Sequence, residues 1–230
     1  MDQTLLIRYR FIFPKGLEET VEVKIDKLTM KSLPETSGNP PDWCRLDFHQ
    51  CQNCPLRVDT DPYCPLAIRL VKLMAICHNV LSYAEVEMEV TTPERVVTKS
   101  TTAQRAVSSL MGLIMATSGC PHMAFLKPMA RFHLPLASEE ETIFRVVSTY
   151  LLAQYFNSKN TPGADYELKN LKKIYGEIRI VNVAMASRLR AVSIQDSAVN
   201  AVILLDIFAK IVPYSVEDSL EEIRYLFQPP

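Results

Sequence analysis

Cysteine is the residue type through which this chain can do chemistry. Cys51 and Cys54 form a Cys-x-x-Cys pair, Cys64 follows after nine intervening residues, and Cys120 stands far along in the stretch SGCPH. A short turn between two cysteines lets both thiolates converge on one tetrahedral ion, and two further soft ligands complete its shell. Cys54, Cys64 and Cys120 each directly precede a proline. Proline holds the residue before it in an extended conformation and itself favours the first helical position. The spacing therefore predicts that these three cysteines cap helical turns, where free backbone N–H groups and the helix dipole favour thiolate over thiol. A metal ligand needs that ionised form.

Cys51, Cys54 and Cys64 are the expected first three ligands. Cys64 opens one helical pattern and Cys120 follows the end of another. Antiparallel packing of those helices puts both sulfurs at the same end, which makes Cys120 the expected fourth ligand. His49, Cys44 and His122 are the alternates. Zinc is the expected metal, because closed thiolate sites are most often structural zinc. An iron–sulfur cluster is the alternative, since proline also follows a ligand cysteine in ferredoxin motifs. Two plainer readings compete. Clustered cysteines also pack as small hydrophobes, and Cys51 with Cys54, or Cys120 alone, would serve a thiol-dependent redox enzyme or switch. The βαβ setting of a thioredoxin-like dithiol is missing, which weakens the last reading. Cys77 falls on the apolar stripe of its helix and reads as core, whereas Cys44, beside Trp43, stays undecided.

Little else reads as a reaction centre. Gly-x-Ser-x-Gly and His-Glu-x-x-His are absent, and the six glycines are too scattered for a P-loop or a dinucleotide fingerprint. His122 and His133 read as solvated or core-edge histidines. Arg131, His133 and the Glu139–Glu141 run read as a surface salt-bridge cluster and a helix start. The DTD at 59–61 lacks the rest of a calcium loop. Asn200 and Asp206, if buried, need partners such as Arg188 or Arg190. An enzyme is therefore not the expectation.

Charge narrows the partners. Lys and Arg total 25 against 26 for Asp and Glu, so no strong basic field exists for nucleic acid or an anionic membrane, and neither partner is expected. A protein partner or a homodimer, through the apolar helical faces, stays open. The opening MDQTLLIRYRFIF lacks the basic flank and continuous apolar segment of a secretory signal, and no apolar run reaches membrane-spanning length. A soluble cytoplasmic protein is expected, a compartment in which cysteines are free thiols or ligands rather than disulfides.

The elements that must hold these thiols follow from periodicity. Leu5, Ile7, Tyr9, Phe11 and Phe13 share one side of a strand, and Val21, Val23 and Ile25 alternate with charge in the next. From Pro65, Leu66, Leu70, Leu73 and Cys77 recur at helical spacing. Ala84, Val86, Met88 and Val90 alternate with glutamates to begin a second hairpin, completed by ERVVTKS. Thr101 with Gln104 predicts a capping box for a helix that Gly119 closes. Ser138 with Glu141 predicts another, opening a helix. Long helical patterns run from about Asp165 to Arg190 and from about Asp196 to Val212, and Ser215 with Asp218 predicts the cap of a last helix. The expected fold class is α+β: a four-stranded antiparallel sheet from two β-hairpins each followed by a helix, plus a C-terminal antiparallel helical unit. The expected organisation is an α+β part over 1–137, with its cysteine-rich loop at 44–64, and an all-helical part over 138–230 packed on it as one integrated unit.

The stretches WCRLDFHQCQNCPL, YCPLA, SSLMGLIMATSGCPHMAFLKPMARFHLPLASEEETIFRVVSTYLLAQYF and DSLEEIRYLF together resemble an uncharacterised bacterial family, a domain of unknown function. The resemblance covers nearly the whole chain and implies one integrated unit and a bacterial origin, but no activity or catalytic residue. The expectation is thus a cytoplasmic bacterial protein with a structural metal site and a regulatory or interaction role.

Overall fold

Strand β1, Thr4–Ile12, alternates buried Leu5, Ile7, Tyr9 and Phe11 with outward side chains, and β2, Glu18–Asp26, does the same with Val21, Val23 and Ile25. Their antiparallel register sets Leu5 opposite Ile25 and Tyr9 opposite Val21, so both apolar sets meet on one face. Outward, Arg8 pairs with Glu22 and Arg10 with Glu18. In the computed structural model the fold is described for residues 3–33, 38–77, 80–158, 163–193 and 196–228.

The second hairpin, β3 (Glu85–Thr91) and β4 (Val96–Thr102), joins the first through an antiparallel β1–β3 ladder. The result is a four-stranded antiparallel sheet in the order β2-β1-β3-β4, as expected. Helix α1, Pro65–Cys77, buries Leu66, Ala67, Leu70, Leu73 and Cys77, the stripe read from the sequence. Each large aliphatic side chain so buried contributes about 1.5–3 kcal/mol.

Helix α2, Ala103–Thr117, follows β4 without a loop. The Thr101–Gln104 capping box does not form, because β4 runs on through Thr102. The first amides of α2 donate instead to backbone oxygens, Ala103 to Ala84 at 2.8 Å and Gln104 to Ser82 at 2.9 Å. Backbone acceptors brought in by tertiary structure thus replace the side-chain cap. A 3₁₀ turn over Pro121–Leu126 and the short α3, Lys127–Arg131, lead to α4, Glu139–Ser158. Here the predicted capping box is present in both directions: the Ser138 amide donates to Glu141 Oε2 at 2.7 Å and the Glu141 amide to Ser138 Oγ at 3.1 Å.

Helix α5 spans Lys169–Arg190 and α6 spans Ser197–Glu222. Helix α5 begins later than its sequence pattern, since Asp165 lies outside the helix and accepts from the Asn170 amide at 2.7 Å and from Tyr150 Oη at 2.8 Å. The separate last helix capped by Ser215 is a misreading. Helix α6 continues through Pro213, because a proline removes one backbone donor and bends a helix more readily than it ends one when its flanks stay helical. His133 also departs from the surface cluster expected for it. Its Nε2 is hydrogen-bonded to the buried Tyr9 hydroxyl, while Arg131 pairs with Glu94 at 3.3 Å.

One continuous apolar core runs from β1 to α6, with Tyr9, Leu70, Leu110, Val146, Leu189 and Val202 all within it. Helix α6 packs on α5, α2 and α4, so the sheet and the helical half share that core. No single helix among the described residues is long and apolar enough to cross a membrane.

Candidate functional site

The segment carrying Cys44, Cys51, Cys54 and Cys64 is a loop closed at its neck. Arg45 and Tyr63 form an isolated antiparallel bridge, the Leu46 amide donates to Pro62 O at 2.9 Å, and the Cys64 amide donates to Cys44 O at 2.8 Å. Inside the loop the Cys54 amide donates to Cys51 O at 3.1 Å, which is the short turn that Cys-x-x-Cys requires.

Two of the three expected helix caps are found. Cys64 immediately precedes α1 and accepts from the Ile68 amide at 3.2 Å. Cys120 is the N-cap of the 3₁₀ turn, in extended conformation at φ −61° and ψ 128°. Gly119, at φ +89°, supplies the left-handed turn that delivers Cys120 to that position. Cys54 caps nothing: the chain from 54 to 57 is irregular, because the loop neck rather than a helix receives it.

Hydrogen bonds join the loop to the Cys120 segment. His122 Nε2 donates to the backbone oxygen of Asn53, between Cys51 and Cys54, at 2.8 Å. Asn53 Nδ2 in turn donates to Glu177 Oε2 at 2.6 Å and to Glu177 O at 3.1 Å, which fixes the turn to α5. From the same helix Arg188, 2% exposed, reaches under the loop. Its guanidinium donates to the carbonyls of Trp43 and Arg45, the latter at 2.7 Å, and more weakly to Leu46 O at 3.4 Å, and it lies over the Phe48 ring. The structure therefore assigns Arg188 to the loop and not to Asn200, whose Nδ2 donates to Asp196 Oδ2 at 3.0 Å.

The thiols feel one another. Burial pushes Cys51 up to about 12, the charges of Cys64, Cys54 and Cys120 push in the same direction, and Arg188 opposes them. Burial likewise pushes Cys120 up to about 11, reinforced by Cys64 and Cys54, while the amides of His122 and Met123 pull it down without closing a full cap hydrogen bond. Cys51, Cys54, Cys64 and Cys120 thus lie within electrostatic reach of one another. The expectation that helix termini make these thiols acidic is overturned for Cys120. Desolvation of a thiolate outweighs two partly aimed amides when no cation is bound.

Among the described residues no three of His, Cys, Asp and Glu are gathered as ligands of one metal ion. All six cysteines are free thiols. Of the alternates, Cys44 is fully buried at the loop neck, with its thiol pushed up to about 12 by burial. His49 is exposed, in a left-handed conformation at φ 48°, with its ring edge-on to Phe48. His122 is committed to Asn53 O and has Nδ1 3.9 Å from Glu177 Oε2. Cys77 is buried in the core.

Sequence reading missed Arg188, Asn53 and Glu177 as parts of this site. The one available signal was an arginine on the apolar side of α5, among Val181, Met185 and Leu189, where an unpaired charge is costly.

The family model of the domain of unknown function DUF6901 matches residues 7–228, so the chain belongs to that family. No curated protein and no solved structure matches it.

Proposed function

We propose that Cys51, Cys54, Cys64 and Cys120 ligate a metal centre, and that the protein has a regulatory or redox-sensing role exerted through it. What carries this reading is the convergence of four cysteines from two distant segments, held by the His122–Asn53 bond and the Arg188 clasp. A buried guanidinium that donates only to neutral carbonyls favours net negative charge nearby, and four thiolates on a metal centre carry it.

An iron–sulfur cluster is preferred to the zinc ion that spacing in the sequence favours, because proline also follows a ligand cysteine in ferredoxin motifs and a cluster supplies the redox sensing. Thiolates around one zinc stand roughly 3.8 Å apart, given Zn–S bonds near 2.3 Å, whereas those at the corners of a cluster stand further apart. A thiol-dependent enzyme is less well supported. A thiol near pKa 12, as at Cys51, is ionised in only about one molecule in 10⁵ at pH 7.

The test is metal and acid-labile sulfide analysis, with an absorption spectrum, of protein purified without oxygen. Iron with matching sulfide, lost together in the Cys51→Ser variant, is the expected result. Stoichiometric zinc without sulfide would return the site to a structural ion. Neither metal, and no uptake on reconstitution, would overturn the proposal.

A further inference from the structure

A second site lies away from the cysteines. Helices α2, α4, α5 and α6 and the segment from Met123 to Ala137 line a partly open cavity of about 530 Å³. Protein interiors are close-packed and leave few voids larger than a water molecule. This volume falls instead in the range of small-molecule sites, about 300–1,000 Å³. Its wall is largely apolar, with Leu113, Met123, Met129 and Leu205 among the lining side chains.

A few polar groups converge on it. Arg145 is fixed by one guanidinium nitrogen, which donates to Met129 O and Phe132 O at 2.9 Å each. Its remaining donors have no partner among the described residues. The nearby Glu141 carboxylate is engaged with the Ser138 amide at 2.7 Å. His133 lines the cavity with Nε2 held by the Tyr9 hydroxyl, and Tyr9 Oη lies 3.0 Å from Ser109 Oγ. Burial keeps the Tyr9 phenol protonated and His133 neutral. The neutral His133 ring thus keeps one N–H, shared between its bond to Tyr9 and the cavity side. Asn182 is 1% exposed, lines the same cavity, and leaves Oδ1 without a partner. A buried amide oxygen left unsatisfied in this way costs about 1–3 kcal/mol, and only a donor, such as a water molecule or a hydroxyl, relieves it.

A fixed guanidinium with free donors beside a long apolar wall matches one chemistry. We propose that this cavity binds a medium-chain monocarboxylate, with its carboxylate on Arg145 and its chain among Leu113, Met123 and Leu205. Charge-assisted hydrogen bonds to a guanidinium fix the head, and the apolar wall takes the tail.

The probes are decanoate and decanol, titrated calorimetrically into the full-length protein, with cooperative melting confirming that each variant is folded. Decanoate should bind saturably at one site per chain. Arg145→Gln should weaken decanoate about ten-fold or more and leave decanol unchanged. That selectivity separates a lost head-group contact from damage to the segment whose carbonyls Arg145 holds. Gly112→Leu should abolish both, because a Cβ at Gly112 meets Leu205 Cδ2 at an ordinary 3.7 Å and a longer side chain extends into the cavity. No saturable binding, equal weakening of both probes by Arg145→Gln, or binding untouched by Gly112→Leu would each overturn the proposal.

Discussion

His122 Nε2 lies 2.8 Å from the backbone oxygen of Asn53, across 69 residues of sequence. That bond ties the Cys51–Cys54 turn to the Cys120 segment, and no other side-chain hydrogen bond among the described residues joins the two. A carbonyl accepts, so Nε2 carries a proton, and Nδ1 faces Glu177 Oε2 at 3.9 Å. The two segments that carry the proposed ligands are thus held together by an interaction outside that proposed set, as is common where a metal centre must be preorganised.

Replacing His122 with alanine therefore should loosen the site more than the fold. Metal content per chain, measured on protein purified without oxygen, is expected to fall by about ten-fold, in the range of 10–100-fold losses seen when outer-shell partners are removed. The metal-free melting temperature should change little, since His122 is half-buried and makes one backbone contact. Unchanged metal content would show that the turn and Cys120 come together without it.

Arg188 presents the opposite balance. Its guanidinium serves the carbonyls of Trp43, Arg45 and Leu46 at once, so Arg188→Met strands those acceptors beneath the loop. A loss of roughly 2–4 kcal/mol is expected, a drop of about 5–15 °C in melting temperature for a chain of this length. Lysine should not rescue it, because one ammonium cannot reproduce a planar fork of donors. The measurement is thermal melting of the metal-free protein, and wild-type stability in both variants would remove Arg188 from the account.

The sheet was legible because its information is local. Leu5, Ile7, Tyr9 and Phe11 alternate cleanly, and their partners Val21, Val23 and Ile25 lie within one turn of them in sequence. The Ser138–Glu141 box was legible for the same reason. What failed depended on distant chain. The start of α2 is satisfied by Ser82 and Ala84 oxygens, which no pattern at Thr101–Gln104 reveals. Pro213 and the Ser215 cap pattern suggested a helix end locally, but α6 runs through both. At the candidate site, the cysteine spacing was visible, but Arg188 and Glu177 come from a helix more than a hundred residues downstream of the loop they hold. The acidity of Cys120 was misjudged because proline spacing reports a cap and says nothing of burial.

Thiol reactivity follows from those burial effects. In metal-free protein, alkylation of Cys120 and Cys51 at pH 7 should be far slower than that of a free peptide thiol, with Cys51 the slower. The rates should climb with pH until they level near 11 for Cys120 and near 12 for Cys51. Mass spectrometric mapping of modified peptides against pH gives both curves. A rate at neutral pH above that of free cysteine would favour the thiol-enzyme reading. Because a metal takes thiolates and releases protons, loading should also weaken steeply as pH falls.

His133 sets a separate acid limit on stability. Burial, with Arg145 adding its repulsion, lowers the His133 pKa from 6.5 to about 3. Between those values the unfolded chain binds a proton at this position and the folded chain does not. Stability is therefore fully present above about pH 6.5 and is lost as pH falls toward 3, by at most about 5 kcal/mol from this group. Partial access of solvent to the ring keeps the realised figure below that ceiling. His133→Gln preserves a hydrogen-bond partner for the Tyr9 hydroxyl but has no proton to gain. Denaturant unfolding of both proteins from pH 7.5 down to 3.5 should show the wild type losing stability faster than the variant through this window, with parallel curves above it. Parallel curves throughout would mean that the imidazole is solvated in the folded state and takes its proton there.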